Sequence, residues 1–197
     1  MEDEITRLFQ EPDEAPPTRT ESDMPGPLLI RRARTQDVDA LGRLSADREG
    51  GDASRHAAAF KRALEGDDVD RTSIILVAEV DREIAGFGKV RFLNESRGDE
   101  RPSSPEGWYL TGLLVDARFR RHGIGSRLTE ERLRWIGARN RFAHYFSNAR
   151  NLVSIALHER FGFVELSRGS QFAGVSFVGG EGVLFRVDLD GSSWRAP

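Results

Sequence analysis

Residues able to bind an anion stand where an apolar run meets a basic turn and a glycine-rich helix start. The apolar run ends at residues 113–115, arginines follow at 118, 120 and 121, and Gly123-Ile124-Gly125-Ser126 opens the next helix. A helix start offers unpaired N–H groups and about half a positive charge, which favours an anion. Glycines let that anion approach the backbone because they have no Cβ. The pattern predicts a phosphate or pyrophosphate site; the alternative is an ordinary helix start whose arginines serve only solubility.

Other phosphate and metal chemistries fit the sequence poorly. No Gly-Lys-Ser or Gly-Lys-Thr occurs, which excludes the nucleoside triphosphate loop. A dinucleotide fingerprint needs a third glycine at position 128, where this sequence has leucine. The chain has no cysteine, and its four histidines lack the spacing of a helical zinc site. We therefore expect neither a metal nor a catalytic thiol.

Two motifs together resemble a known family. Residues 120–125, Arg-Arg-His-Gly-Ile-Gly, are similar to the Arg/Gln-x-x-Gly-x-Gly/Ala signature of the GNAT superfamily of acetyl-CoA-dependent N-acetyltransferases. Residues 151–163, NLVSIALHERFGF, resemble the family's second motif, Asn-x-x-Ala/Ser-x-x-Leu-Tyr-x-x-x-Gly-Phe. The predicted order of strands and helices also agrees with the family over roughly residues 28–190.

The resemblance implies an activity and a set of binding residues. Acetyl-CoA would be a co-substrate, and its acetyl group would pass to a primary amine by direct attack in a ternary complex. The backbone of Leu113, Leu114 and Val115 would bond the pantetheine arm, which Asn151 and Ser154 would face from the later helix. N–H groups of the turn would surround the pyrophosphate. That turn comprises Arg120, Arg121, His122, Gly123, Ile124, Gly125 and Ser126.

Two positions depart from the family pattern. His158 stands where the family has a tyrosine that is thought to protonate the departing thiolate. A histidine with a pKa near ~6.5 can donate a proton near neutral pH, so His158 is a candidate acid; the alternative is local packing. Tyr109 stands where some members carry a glutamate base, and a phenol with a pKa near ~10 is a poor base. Glu106, Glu181 or water could take the proton of the amine instead.

Alternating strands and helices must position these residues. Apolar runs predict strands at 28–33, 73–80, 83–92, 108–115, 142–146, 163–166 and 182–187. Helices are predicted after an N-cap at Thr35 and at 54–64, 123–138 and 152–160. Gly112 within a strand indicates a bulge or a close backbone approach. The order predicts an α/β (α+β) fold with a mixed sheet and helices on both faces. The resemblance adds that the sheet is mostly antiparallel, with one splayed parallel pair.

The first 27 residues differ in composition from the remainder. They hold eight acidic residues against two arginines, and five of the eight prolines. Such a segment buries too little apolar surface to offset its ordering entropy, so we expect a disordered tail. The alternative is a segment that docks through Ile5, Leu8 and Phe9. The predicted domain therefore covers 28–190, with a short tail at 191–197.

Charge and hydropathy limit the classes of partner that the sequence predicts. Residues 28–197 carry a net charge of +3, without the concentrated basic face that nucleic-acid binding needs. No apolar run approaches the ~18 residues of a membrane span, and the first 15 residues lack a signal-peptide pattern. We therefore expect a cytoplasmic protein without nucleic-acid or membrane partners.

The acceptor is the least determined feature. Acids at 47, 49 and 52 could attract a cationic amine or be ordinary solvated surface. The apolar, glycine-rich hairpin at 172–180 could close over a substrate or form the edge of a homodimer. We expect a small-molecule amine. The alternatives are a protein lysine or N-terminus as acceptor and, because the family's glutamate and tyrosine are absent, a non-catalytic acyl-CoA-binding or interaction module.

Overall fold

A seven-stranded sheet forms the centre of the chain, in a computed structural model that describes residues 24, 26–66, 72–94, 104–177 and 180–190. Its order is β1-β2-β3-β4-β5-β9-β6, and β4 and β5 are its parallel neighbours. The strands are β1 Leu28–Arg32, β2 Ser73–Val80, β3 Glu83–Leu93, β4 Gly107–Val115, β5 Phe142–Asn148, β6 Val164–Gly169 and β9 Gly182–Asp188, with a small hairpin of β7 Gln171–Phe172 and β8 Val175–Ser176.

Helices cover both faces of the sheet because most central strands are apolar on both sides. The helices are α1 Val38–Glu49, α2 Ala53–Glu65, α3 Ile124–Gly137 and α4 Leu152–Glu159. Leu41 of α1 and Phe60 of α2 pack on Val77 and its neighbours on one face. Leu128 of α3 packs in the core of the other face. The predicted fold class is therefore confirmed.

The parallel pair separates after only three residue pairs. Trp108, Tyr109 and Leu110 pair with Ala143, His144 and Tyr145, and within the described strands no further pair joins β4 to β5. The β3–β4 register shifts at this level, and Gly112 has a φ of +48°. The predicted bulge at Gly112 is confirmed. Beyond it, the β5-facing backbone edge of β4 has no strand partner in the described sheet.

The start of the first helix corrects one prediction. Thr35 does not cap α1, because a 3-10 turn at Thr35–Asp37 precedes the helix. The carboxylate of Asp37 accepts a hydrogen bond from the backbone N–H of Arg34 (2.7 Å) and two from Arg31 (2.7 and 2.9 Å). These bonds close the turn and leave Val38 as the first residue of α1.

The predicted tails lie mostly outside the described residues. Of residues 1–27, only 24, 26 and 27 are described, and none of 191–197 is. Met24 packs against the core on the α3 face. Across the described part of the chain, every helix is too short or too polar to pass through a lipid bilayer.

Candidate functional site

A cavity of about 380 Å³ occupies the fork between β4 and β5. Strand β4 contributes residues 110–113 to its wall, and α3 contributes Arg132. Residues of β3, β5, α4 and the β7–β8 hairpin complete it; they are Arg91, Leu93, Tyr145, Phe146, Ser147, Asn151, Ser154, His158, Ala173 and Val175. Two polar atoms on this wall, Thr111 Oγ1 and His158 Nε2, are buried without a hydrogen-bond partner among the described residues. Buried polar atoms are rarely left unpaired in proteins, so this wall suits a polar ligand.

A second cavity, of about 940 Å³, lies beside α1 and the β2–β3 turn. Six of its charged side chains bond to each other: Arg31 to Asp37 and Glu79, and Arg118 to Asp116 and Glu83. Because these charges are already compensated within the wall, we take the smaller cavity at the fork as the candidate site.

The turn before α3 has the geometry of an anion site. Arg121 and Gly123 both adopt left-handed backbone conformations, with φ of +69° and +77°. Gly123 is the N-cap of α3, and no side chain of the described residues caps this helix. A Cβ at Gly123 would meet no atom within 4 Å, so the space beside it is open. The first N–H groups of α3 are therefore available to a phosphate.

The basic residues of this turn contribute less charge than the sequence suggested. Arg118 bonds to Asp116 at 2.7 Å and also to Glu83, so its charge is compensated. Arg120 donates from Nε to the carbonyl of Val115 at 3.2 Å. His122 is buried, and its Nδ1 has no partner among the described residues. The carboxylates thus compensate the charge of Arg118, whereas the bond from Arg120 to a neutral carbonyl leaves the charge of Arg120 in place.

Some of the residues predicted to bind the pantetheine arm line the same cavity. Leu113, Asn151 and Ser154 line the cavity, whereas the side chain of Leu114 lies in the core of the α1–α2 face. Asn151 caps α4, since its Oδ1 accepts a bond from the N–H of Ser154 at 3.3 Å. Gly125 packs against α4, because a Cβ there would lie 3.6 Å from Leu157. Helices α3 and α4 thus meet beside the cavity.

His158 is neutral in this environment, which corrects the expectation of an imidazolium acid. Its side chain is 2% exposed, and Nδ1 lies 2.8 Å from the carbonyl of Ser154. Since a carbonyl only accepts, Nδ1 carries the proton and Nε2 keeps a lone pair. Burial, assisted by the charge of Arg132 and opposed by the Ser154 carbonyl, lowers the pKa of His158 to about 3. At pH 7 this ring has no acidic proton to give to a thiolate.

Tyr145 is a site residue that sequence reasoning missed. It lies at the last β4–β5 pair, opposite Leu110. Its ring stacks on His158 with centroids 3.7 Å apart and planes 7° apart, and its hydroxyl donates to Ser154 Oγ at 2.6 Å. Neither family motif includes it, and the sequence signal was only a tyrosine within a predicted strand.

Arg132 is the second missed residue. It is 1% exposed on α3, and its guanidinium donates to the Leu128 carbonyl (3.2 Å), Thr129 Oγ1 (2.9 Å) and the Lys89 carbonyl (3.5 Å). A Cβ at Gly88 would lie 2.9 Å from its Nε, so glycine there makes room for the side chain. No carboxylate among the described residues pairs with Arg132, and burial lowers its pKa to about 9. The signal in the sequence was an arginine beside Leu128 and Leu133 on an apolar helix face.

Tyr109 lies apart from the cavity. It is fully buried, stacks on His144 with centroids 5.0 Å apart, and donates its hydroxyl to the carbonyl of Pro105 at 2.6 Å. Burial raises its pKa to about 12, against the effect of the Ser104 hydroxyl. This phenol is therefore unsuited to act as a base. Glu106 is exposed, and Glu181 pairs with Arg168 at 3.0 Å.

Comparisons with known proteins agree with this geometry. The sequence model of the Acetyltransferase (GNAT) family matches residues 38–163. A search of curated proteins found no match to the chain.

Solved structures match the fold over most of the chain. A GNAT-family acetyltransferase from Streptococcus pneumoniae is 19% identical, with a TM-score of 0.60, covering 82% of this chain and 99% of that one. Ribosomal-protein-alanine N-acetyltransferase from Brucella melitensis is 24% identical, with a TM-score of 0.59, covering 81% and 99%. Arabidopsis thaliana NAA60, solved in complex with acetyl-CoA, is 17% identical, with a TM-score of 0.62, covering 84% and 100%. At these identities the likeness concerns the fold.

Proposed function

The chain belongs to the acetyltransferase (GNAT) family, and from this membership we propose that it transfers an acetyl group from acetyl-CoA to a primary amine on a small molecule. The amine attacks the thioester directly, with both substrates bound at once. The observation that carries the proposal is the fork between β4 and β5, whose cavity lies between an unpaired strand edge and two helices.

The residues at the fork suit the parts of acetyl-CoA. N–H groups of residues 121 to 126, at the start of α3, would hold the pyrophosphate, and Gly123 leaves the space for it. The backbone at residues 113–115, which no residue of β5 pairs with, would bond the amides of the pantetheine arm as an added strand does. The unpaired polar atoms Thr111 Oγ1 and His158 Nε2 line the region where the thioester would lie. Arg120 and His122 belong to the same turn.

A small acceptor is favoured by how the cavity is closed. Ala173 and Val175 of the β7–β8 hairpin line its wall. The N–H of Ala173 donates to Ser104 Oγ at 2.7 Å, which ties this hairpin to the segment before β4. An acceptor that is part of a protein needs an open groove across the strand ends, whereas a small amine fits beneath such a cover.

The test is a thiol-release assay with acetyl-CoA and a panel of small amines, lysine peptides and peptides with free N-termini. We expect release of CoA with one class of small amine, together with the acetylated amine by mass spectrometry. Turnover of peptides alone would replace the small-molecule acceptor with a protein one. Binding of acetyl-CoA without turnover of any amine would favour the non-catalytic acyl-CoA-binding module instead.

A further inference from the structure

We propose that Tyr145 is the catalytic acid that protonates the departing CoA thiolate, and that His158 is its positioning residue. This inference rests on the proposed acetyl transfer and assigns its proton donor to β5. Three features of the described residues carry it: the position of Tyr145, the state of its proton and the buried charge beside it.

The position of Tyr145 is the apex of the fork. Its pairing with Leu110 is the last between β4 and β5, so its ring stands where the two strands part. It lines the cavity together with Thr111 and Ser154. A thioester that follows the free edge of β4 to the end of the fork would bring its sulfur to this ring.

At the apex of the fork, the proton that can be donated to the thiolate is the hydroxyl proton of Tyr145. The hydroxyl of Tyr145 donates to Ser154 Oγ at 2.6 Å, and that serine can hold or relay a proton. His158 has committed its Nδ1 proton to the Ser154 carbonyl, and its Nε2 is a bare lone pair. The stack of the two rings, 3.7 Å apart, with Phe185 against Tyr145 at 5.6 Å, restricts the plane in which the phenol lies.

A buried cation stabilises the phenolate that donation leaves behind. Arg132 lines the same cavity, and no carboxylate among the described residues neutralises it. Burial raises the pKa of Tyr145, whereas the hydroxyls of Ser147 and Ser154 and the charge of Arg132 lower it. The phenol thus keeps its proton at neutral pH, and the charge of Arg132 lowers the cost of giving that proton to the thiolate as the C–S bond breaks.

The reaction balances with these groups. The amine nitrogen forms a bond to the acetyl carbon, the C–S bond breaks, and sulfur takes the electron pair. The proton of Tyr145 passes to sulfur and gives free CoA. The nitrogen loses one proton to water, and the phenolate regains one from solvent through Ser154, so the enzyme returns to its starting state.

The first test compares two tyrosines that lose the same atom. Tyr145→Phe should lower kcat about 10²–10⁴-fold, the usual contribution of an acid catalyst, and change the Kd for acetyl-CoA less than threefold. Tyr109→Phe, outside the cavity, should keep kcat within about threefold, because its hydroxyl donates to the Pro105 carbonyl on the other side of the sheet. A Tyr145→Phe protein that keeps the parent's kcat overturns the proposal.

The second test measures binding without turnover. In the complex with CoA, the Tyr145 hydroxyl should bond the thiol sulfur, so the parent should bind CoA about fivefold more tightly than desulfo-CoA. Tyr145→Phe should abolish that preference while it binds desulfo-CoA as the parent does. An equal preference in both proteins would show that the hydroxyl does not meet the sulfur, whatever the kinetics.

A double variant separates chemistry from packing. Tyr145→Phe with His158→Tyr returns a phenol to the stack from the α4 side, and we expect it to recover at least tenfold of the kcat lost in Tyr145→Phe. No recovery of kcat, with the melting temperature preserved, contradicts the phenol as the acid.

The two hypotheses fail in different ways. A parent protein that acetylates an amine but does not need Tyr145 contradicts this inference alone. A parent protein that acetylates nothing contradicts the proposed function as well.

Discussion

Two tyrosine–histidine stacks stand at neighbouring positions of the β4–β5 pair and face opposite sides of the sheet. Tyr145 stacks on His158 on the α3–α4 side, and Tyr109 stacks on His144 on the other side. The first borders the cavity and bonds a serine hydroxyl, whereas the second lies among Phe172 and Leu184 and bonds a backbone carbonyl. The same pair of residue types thus lines a cavity in one place and a closed core in the other.

The difference lies in the surroundings of each ring. Burial raises the pKa of both phenols and lowers the pKa of both imidazoles. Only the Tyr145–His158 stack has a buried arginine, Arg132, among the causes of these shifts. A nearby cation favours phenolate and disfavours imidazolium, so it directs proton donation to the tyrosine. Adjacent charge and space therefore decide the role of each ring.

Removing the cation should have the largest effect on stability. Arg132→Met replaces an unpaired buried charge with an apolar side chain of similar length, and we expect the free energy of unfolding to rise by about 1–4 kcal/mol while kcat falls. Chemical denaturation and the thiol-release assay measure the two changes. Arg127→Met on the exposed side of α3 is the control and should change stability by less than about 0.5 kcal/mol. A destabilised Arg132→Met would mean that its hydrogen bonds outweigh its desolvation.

Two glycines with the same backbone angle test whether the cavity side binds acetyl-CoA. Gly123 and Gly50 both have a φ of +77°, and a Cβ at either would meet nothing within 4 Å. Valine at either position should cost about 1–2 kcal/mol of left-handed strain. At ~100 times Kd, acetyl-CoA should stabilise the parent and Gly50→Val by about 2.7 kcal/mol, but Gly123→Val hardly at all. Equal melting shifts in both variants would contradict the pyrophosphate site.

The loss of unfolding free energy at acidic pH should depend on His158. Its folded pKa, about 3, lies below the ordinary value of 6.5, so the unfolded chain binds the proton first as the pH falls. Stability is complete above pH 6.5 and is lost below it, by about 2 kcal/mol between pH 7.5 and pH 5.0 from this one group. His158→Phe keeps the stack and should lose that much less stability over the interval. Denaturant unfolding at both pH values measures it; identical slopes would show that His158 protonates freely in the folded state.

The smallest effect is expected at the closed stack. Tyr109→Phe removes the hydroxyl that donates to the carbonyl of Pro105 and leaves that carbonyl without this partner. We expect a loss of about 1 kcal/mol in unfolding free energy, from a single net hydrogen bond. A loss of catalysis larger than the loss of stability would show that this side of the sheet also contributes to the reaction.

Much of the fold and half of the site followed from local patterns. Apolar periodicity predicted the main strands and helices to within a few residues, because burial on one face repeats along the chain at the period of the element. Gly112 and Gly123 were also predictable from local sequence, because each glycine allows a backbone conformation or a close approach that its own strand or helix start requires. The motif around Asn151 and Ser154 predicted residues that do line the cavity.

Tertiary structure alone decided the chemistry of the rings. The sequence predicts His158 as an acid with an ordinary pKa. The protonation of this imidazole depends, however, on its burial and on the charge of Arg132, which lies 26 positions away in the sequence. Tyr145 and Tyr109 cannot be distinguished by sequence pattern, because each is a tyrosine within a predicted strand. The pairing of β4 with β5 decides which face of the sheet each ring occupies. A residue type and its spacing determine where a side chain can stand along its own element. The electrostatic field and the free space around it come from elements that the chain brings together only on folding.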